Sequence, residues 1–494
     1  MKRVTALLAV IVLLTLATRL YFAFTIPNFT YESYFHLRQI EHIQQTGLPL
    51  YYDTLSYGGR TFLFLPLFHY VLAFFGLIFP LILAAKIVPN LLFASLPLIV
   101  FFMARKISQN ETGALFSALI AGFLPLLFTP NAVTVEALSF PLLFLSIYAF
   151  LQVPERKYVL LYLLAFLLLT AVSSAAFLLL VGFGAYILLS WLEGKTIMPA
   201  EKELMLFSLF FFLWVQFLFF KNILLQEGIA FIWHNIPAAI VQDYFPKFSL
   251  VQAIILVSAI PFLAGILVVY RSLFQLRSKK AFLLISLVIS TSILSALRLV
   301  QFHISLMFFG IVLAVLFASF YDEAKRYLPH TKLAGEASLL PGITLLLLLA
   351  TMIPPALVVA QTQPIPGEEQ IQAFQWLQRT APAAHVAALL EEGHLVTYYG
   401  GRVTLMDDQF TLIPDVERRF SALNSLYQTA FKTQALGITD EYGIDYIVLT
   451  PQARAKYGLE KLRYYSSDCF QRVYKNETVI YKVECHLKPI YNGP

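Results

Sequence analysis

Apolar segments long enough to cross a lipid bilayer recur along most of this 494-residue chain. A transmembrane helix needs about 20 consecutive, mostly apolar residues. Only 13% of the residues are charged and 59% are hydrophobic, whereas roughly a quarter of a soluble domain is charged. This pattern excludes a soluble globular fold and predicts a polytopic α-helical membrane protein.

The positions of Lys and Arg predict how the chain crosses the membrane, because basic residues are retained on the cytoplasmic side of short loops. Segment 62–80 is apolar but contains His69 between Pro66 and Pro80. If this segment lies in the outer interface without crossing, every basic cluster falls inside. We therefore expect about 11 spans, with the N-terminus inside and the C-terminus outside. The expected spans lie at about 4–24, 82–103, 111–128, 137–152, 158–172, 175–192, 203–220, 249–270, 281–297, 302–320 and 338–360.

The residues after Gln361 form a more polar tail. We expect a membrane domain over 1–361 with an outer loop at 26–81, and a small extracytoplasmic mixed α/β domain over 362–494. Helical spacing is found at 371–377, and strand patterns at 385–390, 396–405, 446–449 and 478–483. Cys469 and Cys485, the two cysteines of the chain, could form one disulfide or remain free thiols.

The net charge of +6 is attributed to this topology. No basic tract is interleaved with aromatic residues, which excludes nucleic acid as a partner. The expected surroundings are membrane lipids, in a multi-pass protein of the cell membrane.

Two acidic side chains at outer helix boundaries are the main candidates for chemistry. Glu32 lies in the run Tyr-Glu-Ser-Tyr-Phe-His-Leu-Arg at 31–38, and Glu136 ends the short turn 129–136. Acids beside apolar helices are costly and therefore candidates for function. Together, two carboxylates could hold Mg or Mn, the divalent cation that a phosphate leaving group needs. The alternative is that both are solvated helix caps.

Three basic or imidazole side chains are candidates for binding a donor phosphate. Arg298 sits at the outer end of a helical hairpin, where its planar guanidinium could hold a phosphate or extend to lipid headgroups. His303 lies nearby in the sequence and could share the anion. His36 could contact phosphate or be a hydrogen-bonded structural residue.

Segment 221–248 is predicted to be an amphipathic interfacial stretch. It contains Glu227 and His234 among apolar residues. We expect it to cover the site and to contact the acceptor.

Several motifs resemble those of GT-C membrane glycosyltransferases, and above all the catalytic subunit of archaeal oligosaccharyltransferase. The run 31–38, Gly47-Leu48-Pro49 and Leu65-Pro66-Leu67-Phe68-His69 resemble the first outer loop of that family. Thr134-Val135-Glu136 resembles its second acidic motif, and Ala296-Leu297-Arg298 its arginine-bearing late helix. The tail segments 393–402 and 442–449 resemble its outer domain.

The resemblance implies transfer of a sugar or oligosaccharide from a polyprenyl (dolichyl) phosphate or pyrophosphate donor to a protein or glycan acceptor on the outer face. It implies metal binding and catalysis by Glu32 and Glu136, and a donor phosphate held by Arg298. The sequence departs from the family at Leu390-Glu391-Glu392-Gly393, where the Trp-Trp-Asp motif that reads the acceptor sequon is expected. Two alternatives therefore stay open, namely a transferase that moves single sugars onto a lipid or glycan, and a non-catalytic lipid-glycan binder or transporter.

Overall fold

The computed structural model describes residues 2–228, 240, 249–273, 279–297, 299–331, 334–410 and 412–487. Its contacts divide the chain into two compact units. The first, called the membrane unit, comprises Met1–Pro27, Leu65–Ile229 and Lys247–Gln363. The second, called the sheet unit, comprises Asn28–Phe64, Ala230–Pro246 and Pro364–Pro494. The expected division placed the outer loop 26–81 with the membrane helices. In the structure, most of this loop, Asn28–Phe64, groups with the C-terminal residues instead.

The membrane unit is built from apolar helices. Within the described residues, five are long and apolar enough to cross a bilayer, or six if one bent pair counts as a single span. The helices are Lys2–Thr25, Leu67–Ile78, Leu81–Ala94, Leu96–Ser108, Glu111–Gly122, Glu136–Phe150, Arg156–Val172, Ala176–Leu192, Pro199–Glu227, Leu250–Val257, Ala259–Arg271, Lys279–Ala296, Phe302–Tyr327 and Leu340–Gln361. Short 3₁₀ turns lie at Pro125–Leu127, Leu328–His330 and Ala334–Leu339.

Most of these helices coincide with the apolar segments of the sequence, which confirms a polytopic helical membrane protein. The span count of about 11 stays a prediction, because several helices are shorter than a bilayer. Leu67–Ile78 and Glu111–Gly122 have 12 residues each. At 1.5 Å per residue each is about 18 Å long, against a hydrocarbon core of about 30 Å.

The expected continuous helix at 249–270 is wrong. The chain breaks at Ser258, and the helices Leu250–Val257 and Ala259–Arg271 are bent by 94°. Ser258 has a backbone φ of 73°, which is outside the helical range and rare for a residue with a side chain. Its hydroxyl lies 3.3 Å from that of Thr351, so a polar contact accompanies the break. The apolar periodicity continues through the break and therefore hides it.

The Phe302–Tyr327 helix is the most deeply buried of the long helices. Gly113 allows the Glu111–Gly122 helix to approach it closely. A Cβ atom on Gly113 would lie 2.9 Å from the carbonyl oxygen of Ala318. Small residues at helix contacts are a usual means of close packing in membranes.

The sheet unit contains a five-stranded mixed sheet. Its strands are β3 (His385–Ala387), β4 (Val403–Thr404), β5 (Tyr446–Leu449), β6 (Phe470–Lys475) and β7 (Val479–Val483). They lie in the order β4-β3-β5-β7-β6, with β3 parallel to β4 and β5, and β7 antiparallel to β5 and β6. The helices are Ser33–Thr46, Glu368–Thr380, Gly393–Tyr398, Val416–Gln428, Lys432–Tyr442 and Pro451–Tyr457, with a 3₁₀ turn at Leu390–Glu392.

The expected helix at 371–377 and the expected strands at 446–449 and 478–483 are confirmed. The expected strand at 396–405 is wrong over its first half, where Gly393–Tyr398 is helical. Leu395 and Val396 are fully buried, and a fully buried run does not reveal its period. Strand β6 was not expected; a register irregularity between Arg472 and Tyr474 interrupts its pairing with β7.

A short hairpin, β1 (Tyr52–Asp53) and β2 (Arg60–Thr61), follows the Ser33–Thr46 helix. An isolated parallel bridge joins Ser56 to Thr404, the last residue of β4. Cys469 and Cys485 form a disulfide that joins the start of β6 to the residues after β7. Of the two alternatives left open by the sequence, the structure therefore selects the bonded pair.

Candidate active site

Glu32 lies at the N-cap position of the Ser33–Thr46 helix, and its side chain is exposed. The residues around it form the first turn, in which the amide nitrogens of Ser33 and Tyr34 donate to the carbonyl oxygens of Thr30 and Tyr31 (3.0 and 3.2 Å). A carboxylate at the N-terminus of a helix is favoured by the helix dipole. Glu32 is therefore both accessible and placed on a regular element.

The buried face of the Ser33–Thr46 helix packs within the sheet unit. The ring of Tyr34 lies 5.4 Å from that of Tyr398 and 5.2 Å from that of Tyr399. The ring of Phe35 lies 5.5 Å from that of His394. These contacts fix the rotation of the helix, and hence the direction in which Glu32 projects.

His36 and Arg38 follow Glu32 on the same helix. The structure places His36 on the buried face, with 5% of it exposed, and its role at a donor phosphate stays a prediction. Arg38 forms a two-pronged ion pair with Asp53 on β1, with distances of 2.9 and 2.6 Å. The guanidinium of Arg38 therefore ties the helix to the hairpin.

Glu136 is the first residue of the Glu136–Phe150 helix and is half-buried. It lies close enough to His303, near the start of the Phe302–Tyr327 helix, for the two to interact electrostatically. The structure therefore brings together two of the predicted site residues within the membrane unit.

A buried polar network holds the turn that leads to Glu136. The Arg19 guanidinium donates to Asn90 Oδ1 (2.9 Å) and to the carbonyl oxygen of Leu127 (2.8 Å). The amide of Asn90 in turn donates to the carbonyl oxygen of Pro130 (2.8 Å). These bonds fix the backbone a few residues before Glu136.

Lys86 extends the same network. Its ammonium group donates to the carbonyl oxygens of Ala23 and Ile26 and lies 3.3 Å from Asn131 Oδ1. Neither Arg19 nor Lys86 is among the candidate residues predicted from the sequence. The signal was a basic residue inside an otherwise apolar run, which is costly unless the charge has partners.

The remaining predicted residues fall at the edge of the described structure or outside it. Glu227 ends the Pro199–Glu227 helix, and only its backbone is described. His234 and Arg298 lie outside the described residues. Glu32 belongs to the sheet unit and Glu136 to the membrane unit, so a metal site shared by the two carboxylates stays a prediction.

Within the described residues, one further group has the spacing of metal ligands. His394, Asp407 and Asp408 each offer one atom, and these atoms lie within 4.8 Å of one another. His394 Nε2 is 2.5 Å from Asp408 Oδ1, and Arg60 forms a buried ion pair with Asp407. A cation held here would compete with these contacts. The sequence signal was the pair Asp407-Asp408, three residues after β4.

Charge interactions in this group shift two pKa values. Burial opposes the charged form of His394, but the carboxylates of Asp408 and Asp407 outweigh it and raise the pKa of His394. Burial likewise disfavours ionised Asp407, yet the Arg60 guanidinium beside it lowers the pKa of Asp407. Arg60, Asp407, His394 and Asp408 therefore form alternating charges when His394 is protonated.

Glu392 is a second buried acid of the sheet unit and is 0% exposed. Its carboxylate accepts hydrogen bonds from Gln370 Nε2 (2.8 Å), Thr450 Oγ1 (2.6 Å) and the amide nitrogen of Leu389 (3.2 Å). Burial raises the pKa of Glu392 to about 7, although the hydrogen bonds from Thr450 and Leu389 oppose the shift. Glu392 therefore faces the interior of its own unit.

Comparison with solved structures shows that this fold is similar to those of membrane glycosyltransferases, the kind of protein that the sequence motifs resemble. Oligosaccharyltransferase from Archaeoglobus fulgidus, tethered with an acceptor peptide that contains the NVT sequon, has a TM-score of 0.66 at 14% identity, over 89% of this chain and 69% of its own. ArnT from Cupriavidus metallidurans in the apo state has a TM-score of 0.60 at 12% identity, over 95% of this chain and 97% of its own. ArnT bound to undecaprenyl phosphate has a TM-score of 0.52 at 13% identity.

At these identities the likeness establishes the fold. Neither the protein-family models nor the curated protein sequences include a match to this chain.

Proposed function

We propose that the protein is a membrane glycosyltransferase that transfers a sugar or oligosaccharide from a polyprenyl phosphate or pyrophosphate donor to an acceptor on the outer face. The observation that carries this proposal is the fold, which matches ArnT over 95% of this chain and 97% of the other. An undecaprenyl phosphate is bound to ArnT in one of the solved structures, and a dolichol-phosphate to the archaeal oligosaccharyltransferase AglB in another.

Glu32 and Glu136 are the proposed catalytic carboxylates. Each stands at the start of a helix, one exposed and one half-buried. Their oxygens are the hard ligands that Mg or Mn prefers. A divalent cation held by them would supply charge stabilisation for the leaving phosphate. Glu32 would also orient the acceptor and take its proton.

The remaining candidate residues would bind the donor phosphate or contact the acceptor. His303 interacts electrostatically with Glu136, which supports assigning the His303 imidazole to the donor phosphate. Arg298 and His36 are assigned to the phosphate by the sequence pattern alone. Glu227 and His234 are assigned by the same reasoning to the segment that contacts the acceptor.

A second candidate is transfer of a single sugar onto a lipid or glycan. Glu392 supports it, because this residue stands where a motif that reads a peptide sequon is expected. Its carboxylate is fully buried and is engaged by Gln370 and Thr450. The segment Leu390–Glu392 therefore offers no tryptophan and no exposed acid at Glu392 to an acceptor peptide.

Glu32→Gln and Glu136→Gln, assayed in membranes with a radiolabelled polyprenyl-linked sugar, test the proposal. Glu417→Gln is the matched control, because Glu417 is an exposed acid in the first turn of another helix. We expect each site variant to lose transfer by at least about 100-fold, as for a group that stabilises charge in the transition state. Undiminished transfer in Glu32→Gln would overturn the catalytic assignment. Mass spectrometry of the labelled product separates a protein acceptor from a glycan or lipid.

A further inference from the structure

A chain of buried hydrogen bonds connects Glu392 to the residue that precedes Glu32. The Tyr31 hydroxyl donates to Gln370 Oε1 (2.9 Å), and Gln370 Nε2 donates to Glu392 Oε1 (2.8 Å). Thr450 Oγ1 donates to the same carboxylate oxygen (2.6 Å). All four residues belong to the sheet unit, so its sheet-forming part is linked to the start of the Ser33–Thr46 helix.

Tyr31 is well placed to determine the position of Glu32. Its side chain is buried. Its carbonyl oxygen accepts the amide hydrogen of Tyr34 (3.2 Å), and the carbonyl oxygen of Glu32 accepts that of Phe35 (3.1 Å). Both residues therefore belong to the same first turn, and a displacement of Tyr31 also displaces Glu32.

Other anchors of the Ser33–Thr46 helix act further along it. Tyr398 donates its hydroxyl hydrogen to Glu41 Oε1 (2.6 Å), and Arg38 pairs with Asp53. These contacts hold the middle of the helix, whereas the first turn is held by the ring contacts of Tyr34 with Tyr398 and Tyr399 and by the hydrogen bond between the Thr30 and Ser33 hydroxyls. The hydrogen bond from the Tyr31 hydroxyl to Gln370 is a further anchor of this turn, at the residue that precedes Glu32.

We propose that Glu392, acting through Gln370 and Tyr31, is a positioning residue that fixes Glu32 for the transfer reaction. This inference rests on the proposed function of Glu32. In the relay, the carboxylate orients the Gln370 amide by accepting from its nitrogen, and the amide oxygen is thereby directed at the Tyr31 hydroxyl. Loss of the carboxylate frees the amide to rotate, and the first turn of the helix loses the anchor that Tyr31 provides.

The charged and titratable groups around Glu392 are compatible with this role. Glu391 raises the pKa of Glu392, and Lys456, which is ion-paired with Glu391 at 3.4 Å, lowers it. The hydroxyls of Tyr31 and Tyr427 are the other titratable groups that interact with the Glu392 charge. Buried polar groups with several hydrogen bonds rigidify their surroundings, whereas partly satisfied ones loosen them.

A thiol at position 32 reports on this arrangement directly. Both native cysteines are bonded to each other, so Glu32→Cys supplies the single free thiol of the chain. We compare its alkylation rate by a maleimide in the full-length protein alone and combined with Tyr31→Phe, Glu392→Ala or Glu392→Gln. Glu391→Gln is the matched control, since it removes a neighbouring carboxylate that is ion-paired with Lys456, whereas Gln370 donates to Glu392.

Loss of one buried hydrogen bond should change the alkylation rate by about 2- to 10-fold in Tyr31→Phe and Glu392→Ala. Glu392→Gln keeps an acceptor oxygen for Gln370 and should restore most of the original rate. In otherwise native protein, the same substitutions should lower kcat for a radiolabelled polyprenyl-linked sugar by a similar factor and leave KM unchanged. Tyr31→Phe removes a single hydroxyl, so it remains informative if Glu392→Ala does not fold.

An unchanged alkylation rate in Tyr31→Phe would overturn the inference whatever the transfer assay shows. A changed rate with unchanged kcat would also overturn it, because the displacement of Glu32 would then have no consequence for the reaction. Failure of the proposed function gives a different pattern, in which Glu32→Gln retains full transfer while the alkylation rates still respond.

Discussion

Arg60 and Asp407 are 347 positions apart in the chain and form an ion pair in which each side chain is 1% exposed. Arg60 also donates to the carbonyl oxygen of Gln409 (2.5 Å) and lies over the ring of Phe62. The pair thus fastens hairpin strand β2 to the segment that follows β4. Since the Ser33–Thr46 helix precedes this hairpin, the same pair supports the element that presents Glu32.

Replacing Arg60 by Leu should destabilise the sheet unit by about 3–5 kcal/mol, because it leaves the Asp407 carboxylate buried with one partner fewer. The double variant Arg60→Leu/Asp407→Leu should recover part of this loss, since it removes the uncompensated charge as well. Thermal unfolding of the purified protein in detergent measures both effects. Equal stabilities of the single variant and the native protein would contradict the buried ion pair.

The stability contributed by His394 should depend on pH. Because the pKa of His394 is raised in the folded protein, its contribution is fully present below the unfolded value of about 6.5. The contribution is lost as the pH rises through the folded value. The difference in unfolding temperature between the native protein and His394→Gln should therefore be largest in mildly acidic buffer and shrink at alkaline pH. A difference in unfolding temperature that stays constant from acidic to alkaline pH would refute the raised pKa of His394.

The disulfide between Cys469 and Cys485 closes a loop across the hairpin formed by β6 and β7. Replacing both cysteines by Ala should lower the free energy of unfolding of the sheet unit by about 2–4 kcal/mol, since a short covalent loop no longer restricts the unfolded chain. The check is thermal unfolding of this variant beside the native protein, with and without reductant. Reductant should lower the unfolding temperature of the native protein and leave that of the variant unchanged.

Asn90 bridges the buried Arg19 guanidinium and the carbonyl oxygen of Pro130 in the turn before Glu136. Asn90→Leu should cost at least about 2 kcal/mol, because it leaves a buried donor and a buried acceptor without partners. Arg19→Met combined with Asn90→Leu should be less destabilised than Asn90→Leu alone. The unfolding temperature in detergent and the transfer activity should both fall in the single variant, since the turn positions Glu136.

The sequence was sufficient for the class of fold and for most helices of the membrane unit. An apolar run indicates a buried or membrane-embedded segment from its local composition alone. The helices Arg156–Val172 and Leu340–Gln361 therefore begin and end close to the positions expected from the sequence. The break at Ser258 was not predicted from the apolar pattern, although Pro261, which has no amide hydrogen to donate to the carbonyl oxygen of Val257, is a sequence signal for it. The candidate acids Glu32 and Glu136 were found for a similar reason, since a charge beside an apolar helix stands out in the sequence.

The partners of these acids were decided by the tertiary structure. Tyr31 and Gln370 are 339 positions apart, and no periodicity of either segment encodes their contact. The same holds for Arg60 with Asp407, and for the grouping of Asn28–Phe64 with the tail. Hydrophobic periodicity reports which faces of an element are buried, whereas hydrogen bonds and ion pairs depend on which elements pack together. The sequence alone determined a polytopic helical membrane protein with two candidate carboxylates, and only the packed chain showed that a buried glutamate is hydrogen-bonded, through Gln370, to the residue that precedes one of them.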